Sequence, residues 1–415
     1  MRPWIRKYFL LIFFLTGCLS AFSQNNTLEY YQNQALKNSP LLKDYQNQFA
    51  SARLDSSRVR ALYKPQVALN SAAAFSPVIN GYGYAGAITN VQTFNGLLNV
   101  TQSLDSKRYI LAQLQTIALQ AQSLQNTSKI SEQDLKKSVI GQYITAYGSL
   151  QQLEFNQQVN QLLSKEEKIL KTLTQQNVYR QSDYLTFLVT LQQQNLQLSQ
   201  SRIQFQNDFA TLNYLSGIED TTAVTLQNPG IEVNYQSATS NSIFFRQYGL
   251  DSLRLLNSRR ILDFTYRPHI NIFGDGGYNT AFTGPAFNSF GTSFGFSFTL
   301  PIYDGGQRKL QYKKLNLAEE TRVNYRAFFN KQYNQQIARL QQQISGNESL
   351  IKQITEQLKY SERLTTVDFE LMQTGDLRVA DLVLAINNYL LVRNQLTLNK
   401  INRLQLINEL NYWKK

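Results

Sequence analysis

Very few side chains in this 415-residue chain could carry chemistry. His269 is the only histidine and Cys18 the only cysteine, so an internal disulfide and a cysteine metal site are excluded, and a histidine-based triad is hard to build. Carboxylates remain. Three of them follow helix-stopping residues: Asp183 and Asp381 at the same offset, in Asn177-Val178-Tyr179-Arg180-Gln181-Ser182-Asp183 and Gly375-Asp376-Leu377-Arg378-Val379-Ala380-Asp381, and Asp376 directly after Gly375. Asn and Gly are the residue types that best tolerate the left-handed conformation at a helix end. An acid just inside the next helix is favoured by the helix dipole, so these carboxylates need do no more than stabilise a helix start. Asp304-Gly305-Gly306 lacks the Lys-Ser/Thr ending of a phosphate loop and reads as a flexible joint. His269, beside Tyr266-Arg267-Pro268, reads as a strand-entry residue. No enzyme activity, cofactor or metal is expected.

The two Asn/Gly-to-Asp segments belong to a larger pattern, a unit written twice at a shift of about 198 to 203 residues. Tyr63-Lys64-Pro65-Gln66-Val67 returns as Tyr266-Arg267-Pro268-His269-Ile270, and Val100 to Asp105 returns, with a one-residue slip, as Phe298 to Asp304. Each copy predicts a helix before a Tyr-basic-Pro turn, two strands, a very long helix, a tight turn and a returning helix. The first copy places these at about 27–62, 65–104, 105–176 and 182–215, and the second at about 240–264, 267–302, 305–374 and 379–413. The domain organisation read from this is a leader over 1–23, a first repeat over 24–215, a connector over 216–239 marked by Gly217 and Asn228-Pro229-Gly230, and a second repeat over 240–415.

The long helices and the strands ask for different surroundings. A helix of roughly 70 residues spans on the order of 100 Å, far more than a globular core needs. Its apolar residues, among them Ile110, Leu114, Ile117, Leu124, Val139 and Tyr143, recur at spacings of mostly three, four and seven, with polar residues on the other faces, as in a coiled coil. From Phe290 to Leu300 the period is two: Phe290, Thr292, Phe294, Phe296, Phe298 and Leu300 on one face, Gly291, Ser293, Gly295, Ser297 and Thr299 on the other. This suits a membrane strand with lipid on one side and water on the other, and makes Phe294, Phe296 and Phe298 the lipid-facing candidates. A half-buried strand of a soluble sandwich would alternate in the same way.

Export is expected from the start of the chain. Met1 to Lys7 is basic, Tyr8 to Leu15 is apolar and small residues follow, the layout of a secretory signal. Ala21-Phe22-Ser23 suits cleavage after Ser23, while Leu15-Thr16-Gly17-Cys18 resembles a lipobox that would acylate Cys18. The formal charge of +13 falls to +10 without Arg2, Arg6 and Lys7. The cations are scattered along helical stretches rather than bunched in sequence and no nucleic-acid module is recognisable, so they are expected at water or lipid headgroups and not at nucleic acid. No later segment has the 18 or so consecutive apolar residues of a membrane helix, so any membrane crossing must use strands.

Four strands cannot close a barrel, and an open edge in lipid leaves backbone groups unpaired, so the chain must share a barrel with copies of itself. At this point the sequence resembles the TolC-like outer-membrane factors over essentially the whole mature chain. The resemblance rests on the ordered duplication, on Ala35-Leu36-Lys37-Asn38-Ser39-Pro40, on Leu300-Pro301-Ile302-Tyr303-Asp304-Gly305-Gly306 and on Gly375 to Asp381. It implies a mainly α chain with membrane β-strands: duplicated long-helix hairpins plus four strands, trimeric, with a shared β-barrel in the outer membrane and an α-helical barrel across the periplasm. It also implies the role of exit duct in a tripartite efflux or type I secretion system, with a periplasmic adaptor and an inner-membrane pump as partners. Asp381, Asp376 and Asp183 would line the pore entrance, and Tyr179, Arg180, Leu377 and Arg378 would form adaptor-docking tips. Leu384 departs from the family, which often has a second acid there. The alternatives are an exported coiled-coil scaffold or a periplasmic adaptor, which binds partners only and carries one helical hairpin. The transported substrate is not legible.

Overall fold

In the computed structural model, which describes residues 27–83, 91–234, 242–281 and 288–414, the elements follow the twofold order read from the sequence. They are α1 (Leu28–Asn38), α2 (Pro40–Leu62), β1 (Gln66–Ser76), β2 (Val91–Ser103), α3 (Lys107–Gln175), α4 (Gln181–Ser216), α5 (Ile243–Thr265), β3 (His269–Thr280), β4 (Phe290–Thr299), α6 (Gln307–Thr374) and α7 (Val379–Trp413). The leader and Cys18 lie outside the described residues, as does part of the connector. One expected element is corrected: the helix over 27–62 is two helices. Pro40 cannot donate a backbone hydrogen bond and disfavours a helical Ser39 before it, so α1 ends at Asn38 and α2 starts afresh. The break frees the Asn38 amide to donate to the Ser216 and Gly217 carbonyls at the end of α4, at 3.1 and 3.0 Å. Gly217 must be glycine there, since its φ is +66° and a Cβ would sit 2.7 Å from Cβ of Asn38.

The chain divides into two compact units, each drawing equivalent parts from both repeats. The helical unit takes residues up to Leu42, Ile130–Ser242 and those from Lys331 on. Its interior is layered along the helices. One cluster joins α1, α3, α4 and the connector through Tyr31, Val139, Tyr143, Phe209 and Leu226. The Tyr143 hydroxyl donates to the Gln227 carbonyl at 2.7 Å, and burial pushes its pKa up to about 12. Another cluster surrounds the turns between the long and return helices, with Phe155, Leu163 and Leu170 of α3, Phe187 and Leu191 of α4, Phe369 and Met372 of α6, and Leu382 and Ile386 of α7.

The sheet unit, Lys43–Lys129 with Ile243–Asn330, holds a four-stranded sheet in the order β1-β2-β3-β4, antiparallel throughout. The register puts Val67 opposite Val100, Leu69 opposite Leu98, Ile270 opposite Phe298 and Ile272 opposite Phe296. Directly opposed residues share a face. The fainter alternations of β1 to β3 therefore join that of β4 in one apolar face. The other face carries Asn95, Asn99, Asn271, Asp275, Ser293 and Ser297. β1 and β4 are outer strands, and neither has a second partner among the described residues.

Candidate functional site

Two places in the molecule are built for more than packing: the paired turns that close the helical hairpins, and the sheet. At the first turn α3 ends in a Schellman arrangement, with the Asn177 N–H donating to the Thr174 carbonyl and the Val178 N–H to the Leu173 carbonyl, both at 3.0 Å. The second repeats it: the Gly375 N–H donates to Met372 and the Asp376 N–H to Leu371, at 3.2 and 3.0 Å. The closing residues are left-handed as expected, Asn177 at φ +64° and Gly375 at φ +83°. Gly375 has a second reason to be glycine, because a Cβ would lie 2.7 Å from Cγ1 of Val178 on the other turn.

The turns are thus in contact, and Tyr179 is the main link. Expected as an exposed docking residue, it is instead buried, and its hydroxyl donates to the carbonyls of Met372 and Leu377 at 3.0 and 2.9 Å. Burial raises its pKa. Leu377 is half-buried against the same cluster, which leaves Arg180 and Arg378 as the exposed members of the docking set. Nothing in the local spacing distinguishes Tyr179 from an exposed tip residue; the contact that buries it is with the other repeat.

The three acids occupy different environments. Asp381 receives both ends of the Arg378 guanidinium, Nε to Oδ2 at 2.8 Å and Nη2 to Oδ1 at 3.0 Å, and the pair is solvent-accessible. The carboxylate holds Arg378 above its ordinary pKa. Asp183, at the same offset from Arg180, caps the backbone instead, accepting the Arg180 N–H at 3.2 Å. Asp376 is exposed and accepts the Thr374 hydroxyl at 2.8 Å. A fourth acid, Asp368 of α6, was not singled out from the sequence: it is buried, and burial followed by repulsion from Asp381 raises its pKa. Its place among apolar neighbours in a coiled-coil repeat was the available signal. Leu384 is exposed.

In the sheet, Phe294, Phe296 and Phe298 are 91, 75 and 58 % exposed on the apolar face, in line with Val67, Leu69, Leu98 and Ile272, which are also exposed. On the opposite face Ser293 donates to Asp275 at 2.5 Å, and Gly295 makes room for the Phe273 ring, which would lie 2.7 Å from a Cβ. Among the described residues no helix is apolar enough to cross a membrane and no group of three or more His, Cys, Asp and Glu could hold a metal. Where β4 meets α6, Asp304 accepts the N–H groups of Gly306 and Arg308 at 2.9 and 2.7 Å, a strand-to-helix joint as expected.

A chain that joins a sheet with one exposed apolar face, its outer strands without a further partner among the described residues, to two hairpins of very long helices matches solved structures along nearly its whole length. The outer membrane protein VceC from the pathogen Vibrio cholerae superposes with a TM-score of 0.75 at 14% identity, over 93% of this chain and 95% of that one. CusC, whose crystal structures concern folding and transmembrane channel formation, gives 0.76 at 12% identity, over 95 and 94%. The open state of the Neisseria gonorrhoeae MtrE outer membrane channel gives 0.73 at 12% identity, over 93 and 88%. The chain has the fold of an outer-membrane channel. No family model and no curated protein matches the sequence, so the channel fold is shared at low identity and is recognised through structure. Helix, strand-pair, long-helix and return-helix units in duplicate are what the TolC-like resemblance implied, and the channel fold bears out that fold class.

Proposed function

We propose that this protein is the outer-membrane exit duct of a tripartite efflux or type I secretion system. The observation that carries this is the sheet: one face apolar and exposed, the other polar, its two outer strands without a further partner among the described residues, with helices of 69 and 68 residues starting from its end. Three copies would join edge to edge into a twelve-stranded barrel with the apolar face toward lipid, and their helices would continue the wall across the periplasm. The paired turns then form the periplasmic entrance. Arg180 and Arg378 present cations to an adaptor, which in turn couples the duct to an inner-membrane pump. Asp381, Asp376 and Asp183 supply the negative charge of the entrance, with Asp376 the acid least neutralised by a neighbour. Conduction is passive and opening is a rearrangement of the turns.

A scaffold or adaptor reading is disfavoured because two hairpins are present, and because a scaffold gives no reason for an exposed apolar sheet face. The deciding test is single-channel recording of the purified protein in planar bilayers with its oligomer mass. Trimers forming cation-selective channels, with selectivity reduced by Asp376→Ala and Asp381→Ala, are expected. Trimeric channels indifferent to both substitutions keep the duct and remove the acidic entrance, and a monomer without membrane association sinks the duct.

A further inference from the structure

Positive charge is not spread evenly over this molecule. The sheet unit carries 19 Lys and Arg against 9 Asp and Glu, whereas the helical unit with the mature N-terminus carries 19 of each, so the whole net charge of +10 beyond the leader belongs to the sheet unit. Within that unit the cations gather where helices meet strands. The pairings Gln66 with Thr101, Ser103 with Asn271 and His269 with Thr299 put all four helix–strand joints at one end of the sheet. Lys64 and Arg267 stand just before β1 and β3, Lys107 and Arg108 open α3, and Lys309 lies in the first turn of α6, all exposed. Neither long helix has an acid in its first turn, so Lys107, Arg108 and Lys309 face the unfavourable end of a helix dipole. The nearby acids are engaged elsewhere, Asp105 with His269 at 3.0 Å and Asp304 with backbone N–H groups of α6. Among the described residues none of these five cations is paired with a carboxylate.

A second feature lies at the same joints. Leu300 and Ile302 continue the two-residue spacing of the phenylalanine face beyond β4, and Ile302 and its neighbour Tyr303 are 93 and 89 % exposed. Apolar side chains leading into an aromatic and a group of cations without carboxylate partners are what a lipid-facing surface needs where hydrocarbon gives way to headgroups. We propose that this collar binds anionic phospholipid headgroups of the periplasmic leaflet and fixes the depth of the sheet in the bilayer. The inference rests on the duct reading, which places this end of the sheet on the periplasmic side.

The test reconstitutes the full-length protein in bilayers of equimolar phosphatidylethanolamine and phosphatidylglycerol, extracts it gently, and counts retained lipids by native mass spectrometry. Phosphatidylglycerol is expected well above its bulk share. Lys107→Gln with Arg108→Gln and Lys309→Gln should lower that preference on the order of fivefold per cation removed. The charge-preserving pair Lys107→Arg and Lys309→Arg should keep it. Lys171→Gln with Lys352→Gln and Lys359→Gln, equal in charge but on the helical unit, should leave it unchanged. Retention in proportion to bulk, or an equal fall in the control, overturns the collar while a parent that still conducts keeps the duct. A parent that does not enter bilayers overturns both.

Discussion

The two hairpin turns are near copies in sequence spacing and unlike in their bonding. Each ends a long helix with a left-handed residue and follows it with Arg and, three residues on, Asp. In the second turn that Arg and Asp grip each other through their side chains; in the first the Asp caps its own backbone and the Arg side chain is exposed. The first turn also reaches across, placing Val178 against Gly375 and the Tyr179 hydroxyl on two carbonyls of the second. The copies therefore share the local stop signal and differ in their bonding: the first turn reaches across and the second receives it.

The largest break in this asymmetry should come from Gly375→Val. A β-branched side chain at φ +83°, with its Cβ about as close to Val178 as glycine's ideal Cβ position of 2.7 Å, should cost about 3 kcal/mol in denaturant unfolding. An unchanged midpoint would mean the turns are not held together. Next, Tyr179→Phe leaves the Met372 and Leu377 carbonyls without their shared donor and should cost about 1 to 2 kcal/mol; in the proposed duct, where these turns form the entrance, it should also raise the open fraction.

Asp368→Asn probes the same region through pH. Because the folded protein holds the Asp368 pKa above the ordinary carboxylate value of 3.8, its contribution is most favourable when protonated and is lost as pH rises through the raised value. The variant should gain melting temperature over the parent at pH 7, with the gain gone near pH 3; a gain independent of pH would contradict the burial of a charge there. Asp183→Asn should lose well under 1 kcal/mol, since asparagine still caps, and in the proposed duct should weaken cation selectivity as Asp381→Asn does. The smallest effect belongs to Asn177→Gly, within about 0.5 kcal/mol, as glycine accepts φ +64° equally well.

What the sequence disclosed follows the range of the interactions involved. Strand β4 and both long helices were legible because periods of two and of three to four are local, and the left-handed stops because Asn177 and Gly375 mark themselves. The Ser39-Pro40 break was equally local and its proline was a readable signal. Tyr179 was misplaced because its partners lie 193 and 198 residues away. The different bonding of Arg180 and Arg378 was illegible for another reason: identical spacing permits either bond. The cationic collar is invisible along the chain, where its members sit far apart, and appears only when antiparallel pairing brings four joints to one end.

The even number of strands has a consequence for how such a protein must be made. Since β1 and β4 run in opposite directions, in the proposed ring the last strand of one copy would meet the first strand of the next antiparallel, and every seam would repeat the pairing found inside a chain. Two lone copies expose four unsatisfied borders and a joined pair exposes two, so each joining removes two and an open assembly always keeps the last two. In the proposed duct only ring closure removes these last two, so a closed ring should outlive any open assembly of the same copies.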